Sequence, residues 1–199
     1  MRLERLKLKD FLTYEYLDYE FKTYPIQIQG ENLTDDNQKT NGSGKSGVLT
    51  AIERAVTGAN SRGVLDNELI NFDKDKSEIE LTAYCPIRQE RLKIGWTLNR
   101  KGSNKLLIES KRDNEEEYTD GRTKFSDTNE GKKVISDWFS ISKDDLFNYY
   151  FISKKRFKSF FKSTNEEKIS LINRFSDASI IDGIDTSLDD DIKSTEESI

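Results

Sequence analysis

The sequence predicts an α/β fold, a mixed sheet wrapped around one glycine-led helix, with an antiparallel portion and a small helical subdomain. Three observations predict it. Short segments of alternating apolar and polar residues recur at both ends of the first hundred positions. A glycine-bearing polar loop runs directly into an amphipathic helical pattern. Beyond residue 130 the apolar residues recur at helical rather than strand spacing.

The elements follow in order. In residues 3–11 Leu3, Leu6, Leu8 and Phe11 stand out between Lys7 and Lys9, and residues 16–21 alternate again, so two strands are expected. Residues 26–30, Ile-Gln-Ile-Gln-Gly, are expected as a third short strand. After a polar loop, Val48, Ile52, Ala55 and Val56 fall on one face of a helix over 47–58, with Gly58 placed as a left-handed cap. Residues 78–84 read as a strand, and residues 92–98 and 106–109 as a hairpin turning at Lys101, Gly102, Ser103 and Asn104. Residues 113–129 are polar and expected as a mobile loop. Helices are expected over 132–139, where Val134, Ile135, Trp138 and Phe139 group on one side, over 143–150 and over 165–175. No internal repeat is visible.

Composition narrows the function. A chain of 199 residues with one cysteine, Cys85, and no histidine has no internal disulfide, no histidine-based zinc site and no histidine general base. This suits a reducing cytoplasm, and no apolar run of membrane-spanning or signal-peptide length is present. The net charge of −5 argues against a uniformly basic nucleic-acid binder, although local basic groups exist. Arg91, Lys93, Arg100, Lys101 and Lys105 lie on the expected hairpin. Lys154, Lys155, Arg156, Lys158 and Lys162 form a run punctuated by Phe157, Phe160 and Phe161. Such groups serve as solvated faces or as sequence-independent, salt-sensitive contacts to DNA phosphates.

The chemistry-bearing motif is Asn41, Gly42, Ser43, Gly44, Lys45, Ser46 and Gly47, the second half of the pattern G-x-x-x-x-G-K-[ST]. Successive backbone N–H groups curl around phosphate oxygens only where glycines permit close approach, and the following helix offers its free amides and positive dipole end. Lys45 then reaches the outer phosphates as a point charge, and the Ser46 hydroxyl is placed to ligate Mg2+. Lys39 stands where the strict pattern has its first glycine, so the loop departs from the pattern at its start.

Residues 1–11, ending in Asp-Phe, resemble the first strand of the SMC and SbcC-type chromosome-handling ATPases. The phosphate loop, Ala51, Ile52 and Gly58, then Leu69, Ile70, Asn71 and Phe72, follow in the family's order. Residues 150–163 are similar to the family's Q-loop segment and the helix leaving it. The resemblance implies the N-terminal half of a P-loop NTPase head of ABC/SMC type, binding ATP and Mg2+. It also implies dimerisation through ATP-sandwiched heads, pairing with its own C-terminal lobe, action on DNA in repair, end processing or anti-phage or plasmid defence, and a possible nuclease or effector subunit.

The domain organisation implied is a lobe over 1–130, a helical subdomain over 131–181, and over 182–199 the acidic start of a coiled coil within a longer chain. Lys154 aligns with the Q-loop glutamine that helps hold Mg2+ and the attacking water, with Ser153 beside it. A protonated lysine does not ligate a metal. Three readings therefore stay open: Ser153 or a shifted neighbour takes the role, the ATPase is a slow switch or assembly scaffold, or the segment is a basic surface loop. No apolar strand ending in Asp-Glu and no Ser-Gly-Gly signature occurs in the sequence, so the chain alone is expected to bind nucleotide poorly and to hydrolyse almost no ATP. Another P-loop NTPase or kinase is the remaining alternative.

Overall fold

The computed structural model describes residues 1–22, 25–31, 44–118, 123–125, 128–140, 146, 151, 164–166, 168–169 and 172. The chain divides into two compact units, Met1–Arg156 and Phe157–Ile199.

In the first unit the alternating segments become strands: β1 (Arg2–Phe11), β2 (Tyr14–Glu20), β3 (Lys76–Cys85), β4 (Glu90–Asn99), β5 (Lys105–Arg112) and β6 (Thr123–Phe125). They form a single sheet in the order β2-β1-β3-β4-β5-β6. Each pairing is antiparallel, with Leu6 opposite Leu81, Leu81 opposite Ile94, and Ile94 opposite Ile108. Because side chains alternate across a strand, this register gathers Leu6, Leu8, Ile79, Leu81, Ile94 and Trp96 on one face, and all are buried. The helix α1 (Lys45–Thr57) contacts that face at β1, β3 and β4. The helix α2 (Thr128–Phe139) packs beside α1 and against β5.

The helix pattern around Val48, Ile52, Ala55 and Val56 is borne out, since all four are buried and Gly58 caps α1 with φ 68° while donating to the Arg54 carbonyl. The hairpin across Lys101 to Asn104 also forms, with Gly102 at φ 93°.

Three expectations need correction. Residues 26–30 form no strand: they pair with no described residue and Ile28 is 39% exposed. With no strand there to pair in parallel, the described sheet is antiparallel throughout rather than mixed. Residues 113–129 are not simply a loop. Thr123–Phe125 pairs with β5, and α2 begins at Thr128. The polar composition hid an edge strand, whose position depends on the hydrogen-bonding partner already present in β5. Finally Val134 is 41% exposed, while Ile135, Trp138 and Phe139 are buried. In α2, Trp138 Nε1 donates to a Glu90 carboxylate oxygen at 2.8 Å.

The expected helix over 143–150 lies outside the described residues apart from buried Leu146, whose carbonyl accepts from the Phe151 N–H. In the second unit, residues 165–166, 168–169 and 172 are helical, with Ile169 and Ile172 exposed. The acidic stretch 182–199 lies outside the described residues. Among the described residues no helix is long and apolar enough to cross a membrane.

The other face of the sheet is a ladder of alternating charge. Arg5 forms a bidentate pair with Asp18 at 2.7 Å, Lys7 meets Glu80 at 3.1 Å, and Lys93 meets Glu109 at 3.1 Å. Arg91 joins Glu4 to Asp113, and Tyr84 donates to Asp113 at 2.7 Å. The hydrogen bond from Arg5 holds the Asp18 carboxyl below the usual carboxylate range, and those from Tyr84 and Arg91 do the same for Asp113.

Two outcomes follow. Leu81→Ala, at a fully buried position, lowers unfolding free energy in urea by about 2–5 kcal/mol, whereas Val134→Ala stays within about 0.5 kcal/mol. For a carboxyl with a depressed folded pKa, the stabilisation is present above the unfolded value of about 4 and is lost as pH falls through the folded value. The wild-type chain therefore loses stability on acidification below about pH 4 more steeply than the Asp18→Asn, Asp113→Asn double variant, as read from urea midpoints against pH.

Candidate functional site

The site is built at the N-terminus of α1. Gly44 precedes the helix in a left-handed conformation, φ 80° and ψ −6°, and its carbonyl accepts from the Gly47 N–H at 2.7 Å. Gly44, a glycine, supplies no side-chain cap, and the first turn carries no acidic residue. An anion approaching the start of this 13-residue helix therefore meets the positive end of its dipole with no carboxylate of the first turn to repel it.

Steric conditions agree. The turn between β1 and β2 brings Thr13 and Tyr14 against the start of α1, and the Tyr14 hydroxyl donates to the Gly44 carbonyl at 3.1 Å. A Cβ on Gly44 would lie 2.8 Å from Thr13 Oγ1, and one on Gly47 2.9 Å from the Tyr14 ring. Both positions therefore require glycine for close backbone approach. Burial pushes the Tyr14 phenol above its ordinary pKa, which keeps it a neutral donor.

Lys45 and Ser46 open the helix as the motif requires. Asn41, Gly42 and Ser43 lie outside the described residues, as do Ser153 and Lys154, so the structure brings none of these to the site or away from it. It does add a residue that the sequence reading missed. Arg62, on the loop after α1, donates from Nη2 to Ser46 Oγ at 2.5 Å. The site so assembled holds a lysine, an arginine, a hydroxyl and helix amides, a donor set suited to the phosphates of a nucleotide, whereas a Mg2+ on Ser46 Oγ would require Arg62 to turn away from that oxygen. The only signal for Arg62 was its place sixteen residues beyond Ser46, across a turn that no local pattern folds back.

The loop that carries Arg62 is tied to α1 at several points. The Ala59 N–H donates to Thr57 Oγ1 at 3.1 Å and the Ser61 N–H to the Glu53 carboxylate at 2.8 Å. Asn60 closes a turn onto Val64, donating to its carbonyl at 3.0 Å. Arg54 makes two 2.8 Å hydrogen bonds to Asp66. The α1 residues involved here, Glu53, Arg54 and Thr57, are all below 9% exposure and, with Thr50, recur at helical spacing.

The expected basic group on the hairpin is largely engaged within the molecule. Arg91 and Lys93 pair with carboxylates, and Arg100 donates to the carbonyls of Asn71 and Lys74 at 2.9 Å. Lys101 and Lys105 are exposed. The basic run from Lys154 to Lys162 lies outside the described residues.

Over 81 residues the chain is 35% identical to the DNA replication and repair protein RecF of Lachnospira eligens, a match covering 41% of this chain and 20% of that protein. The chain thus aligns with about a fifth of the length of this curated relative. Among solved structures it is similar to the recombination mediator protein RecF of the RecFOR pathway. The ATPrS form matches with a TM-score of 0.44 and 19% identity, covering 65% of this chain and 29% of that one. The ATP form matches with a TM-score of 0.43 and 19% identity, covering 63% and 28%. No family model matches the chain.

The Tyr14 contact carries a prediction. Gly47→Ala destabilises the chain by about 1–3 kcal/mol through overpacking, and most of that loss disappears when the same change is made in a Tyr14→Ala background. Urea unfolding of the two single variants and the double variant measures it.

Proposed function

We propose that this chain supplies the phosphate-binding part of an ATPase that acts on DNA in repair or recombination. The observation that carries the reading is the Arg62 to Ser46 contact at the start of a helix that opens with Lys45 and Ser46, beside Gly44 and Gly47, where an added Cβ would meet Thr13 and Tyr14. The partial similarity to a RecF repair protein supports the same reading.

In this reading the amides of residues 42–46 cradle the phosphates of ATP, Lys45 neutralises the outer phosphates, and Ser46 holds Mg2+. Arg62 is a second cation at the phosphates, positioned through the same loop that touches Ser46. When bound, ATP would supply the negative charge that Lys45 and Arg62 are placed to neutralise, and Mg2+ would take Ser46 Oγ once Arg62 turned from that oxygen to the phosphates. Ser153 and Lys154 are proposed to approach from the Q-loop-like segment.

The wider assembly is proposed on the same grounds: a homodimer through ATP-sandwiched heads, each completed by its own C-terminal lobe, acting on DNA without sequence preference. An SbcC-like association with a nuclease or effector subunit is the finer form of this proposal. The charge ladder on the outer sheet face is internally neutralised, which directs a search for DNA contacts toward Lys101, Lys105 and the 154–162 run.

In the full protein Lys45→Ala lowers affinity for Mg-ATP at least tenfold, the loss of more than about 1.4 kcal/mol. Equilibrium titration with a fluorescent ATP analogue checks it, and unchanged affinity overturns the phosphate assignment.

A further inference from the structure

We propose that Arg54 and Asp66 are positioning residues for the phosphate site: their ion pair, buried at Arg54 and partly exposed at Asp66, holds the loop of residues 59–65 so that Arg62 stands at the Ser46 hydroxyl. The inference rests on the phosphate-site reading above.

Arg54 is 2% exposed, yet it sits on the helix that leads from the phosphate loop. Its guanidinium makes a forked pair with Asp66, lies 4.0 Å over the Trp96 ring, and leaves Nη1 without a hydrogen-bond partner among the described residues. Asp66 Oδ2 also accepts from Asn104 Nδ2 at 2.6 Å, and Asn104 Oδ1 accepts from the Asn99 N–H at the end of β4. A buried arginine with one unsatisfied nitrogen is a poor way to gain stability, because apolar residues of similar volume do as well or better. What the pair provides is geometry. A planar fork on a carboxylate fixes both distance and orientation, and here it joins the middle of α1 to the far end of the Arg62 loop.

The other attachments complete the clamp. Thr57 and Glu53 hold the loop at Ala59 and Ser61, Asn60 closes the 60–64 turn, and Asp66 anchors the exit. Arg62 therefore projects from a segment fastened on both sides, with the fastening residues on the helix whose N-terminus it faces. A side chain with four rotatable bonds is held near one hydroxyl at a smaller entropic cost when its backbone is already fixed. Asn104 extends the same connection to the turn between β4 and β5.

The test uses Mg-ATP as the probe and four proteins: wild type, Arg62→Ala, Asp66→Asn and the double variant. Each single change weakens Mg-ATP binding by about tenfold, the worth of one charge-assisted hydrogen bond. The double variant binds no more weakly than either single one, because both act through the same guanidinium. Amide hydrogen exchange without nucleotide gives a second readout, in which Asp66→Asn accelerates exchange at residues 59–65 while β3 and β4 keep their protection. Where Asp66→Asn unfolds the chain by stranding the Arg54 charge, Arg54→Met with Asp66→Leu removes the pair without leaving a buried ion, and the same two readouts apply.

Losses that multiply in the double variant, or loop exchange unchanged when the pair is removed, overturn the proposal. Should Lys45→Ala bind Mg-ATP as well as wild type, the phosphate reading fails by itself. Exchange at residues 59–65 then still decides whether the ion pair fixes the loop.

Discussion

The burial of α1 on two chemically different sides is the constraint on which the described structure depends. One side is apolar, where Val48, Ala51, Ile52, Ala55 and Val56 meet the sheet, and Trp96 reaches across it to donate from Nε1 to the Ala55 carbonyl at 3.1 Å. The second side is polar but equally dry. Thr50, Glu53, Arg54 and Thr57 are withdrawn from water, and Glu53, Arg54 and Thr57 are satisfied largely by the returning chain of residues 59–66. A helix held on both sides has little freedom to tilt or slide, so the glycine turn at its N-terminus is presented in a defined place.

That placement explains the chemistry of the site. Backbone amides bind an anion well only when they need not be reorganised to do so, and the orientation of these amides is inherited from the helix. The Thr13 and Tyr14 contacts close the approach from the β1–β2 side, and the Arg62 loop closes it from the other. The sheet has therefore two functions: its inner face supports α1, and its strand turns supply the walls around the helix mouth. Its outer face is a charge ladder that satisfies itself. Individual exposed pairs of this kind contribute little stability, but a strand shifted by one residue is penalised, since the shift would turn its charged side chains onto the apolar face.

The elements that were legible in the sequence are those set by local periodicity. The two-residue alternation of Leu6 and Leu8, of Ile79, Leu81 and Ala83, and of the β4 residues defines strands with one apolar face. The spacing of Val48, Ile52, Ala55 and Val56 defines the helix, and Gly58 its end. The pattern around Gly44, Lys45 and Ser46 indicates phosphate because its chemistry is carried by adjacent residues. Residues 26–30 show the limit of such reasoning. Their composition suits a strand, yet a strand is a relation between two segments, and the described residues provide no partner.

By itself, then, the sequence determined the strands β1 to β5 and the helix α1, and it carries the motif on which the proposed anion-binding turn rests, because those properties arise from neighbours in the chain. Tertiary structure alone decided that Arg54 is buried and Arg91 neutralised, that Thr123–Phe125 joins the sheet edge, and that Arg62 reaches Ser46. A charged residue in a helix or strand carries no local mark of whether water or a carboxylate from a distant segment will face it. The difference is made by long-range pairing, which fixes the partner and with it the electrostatic role.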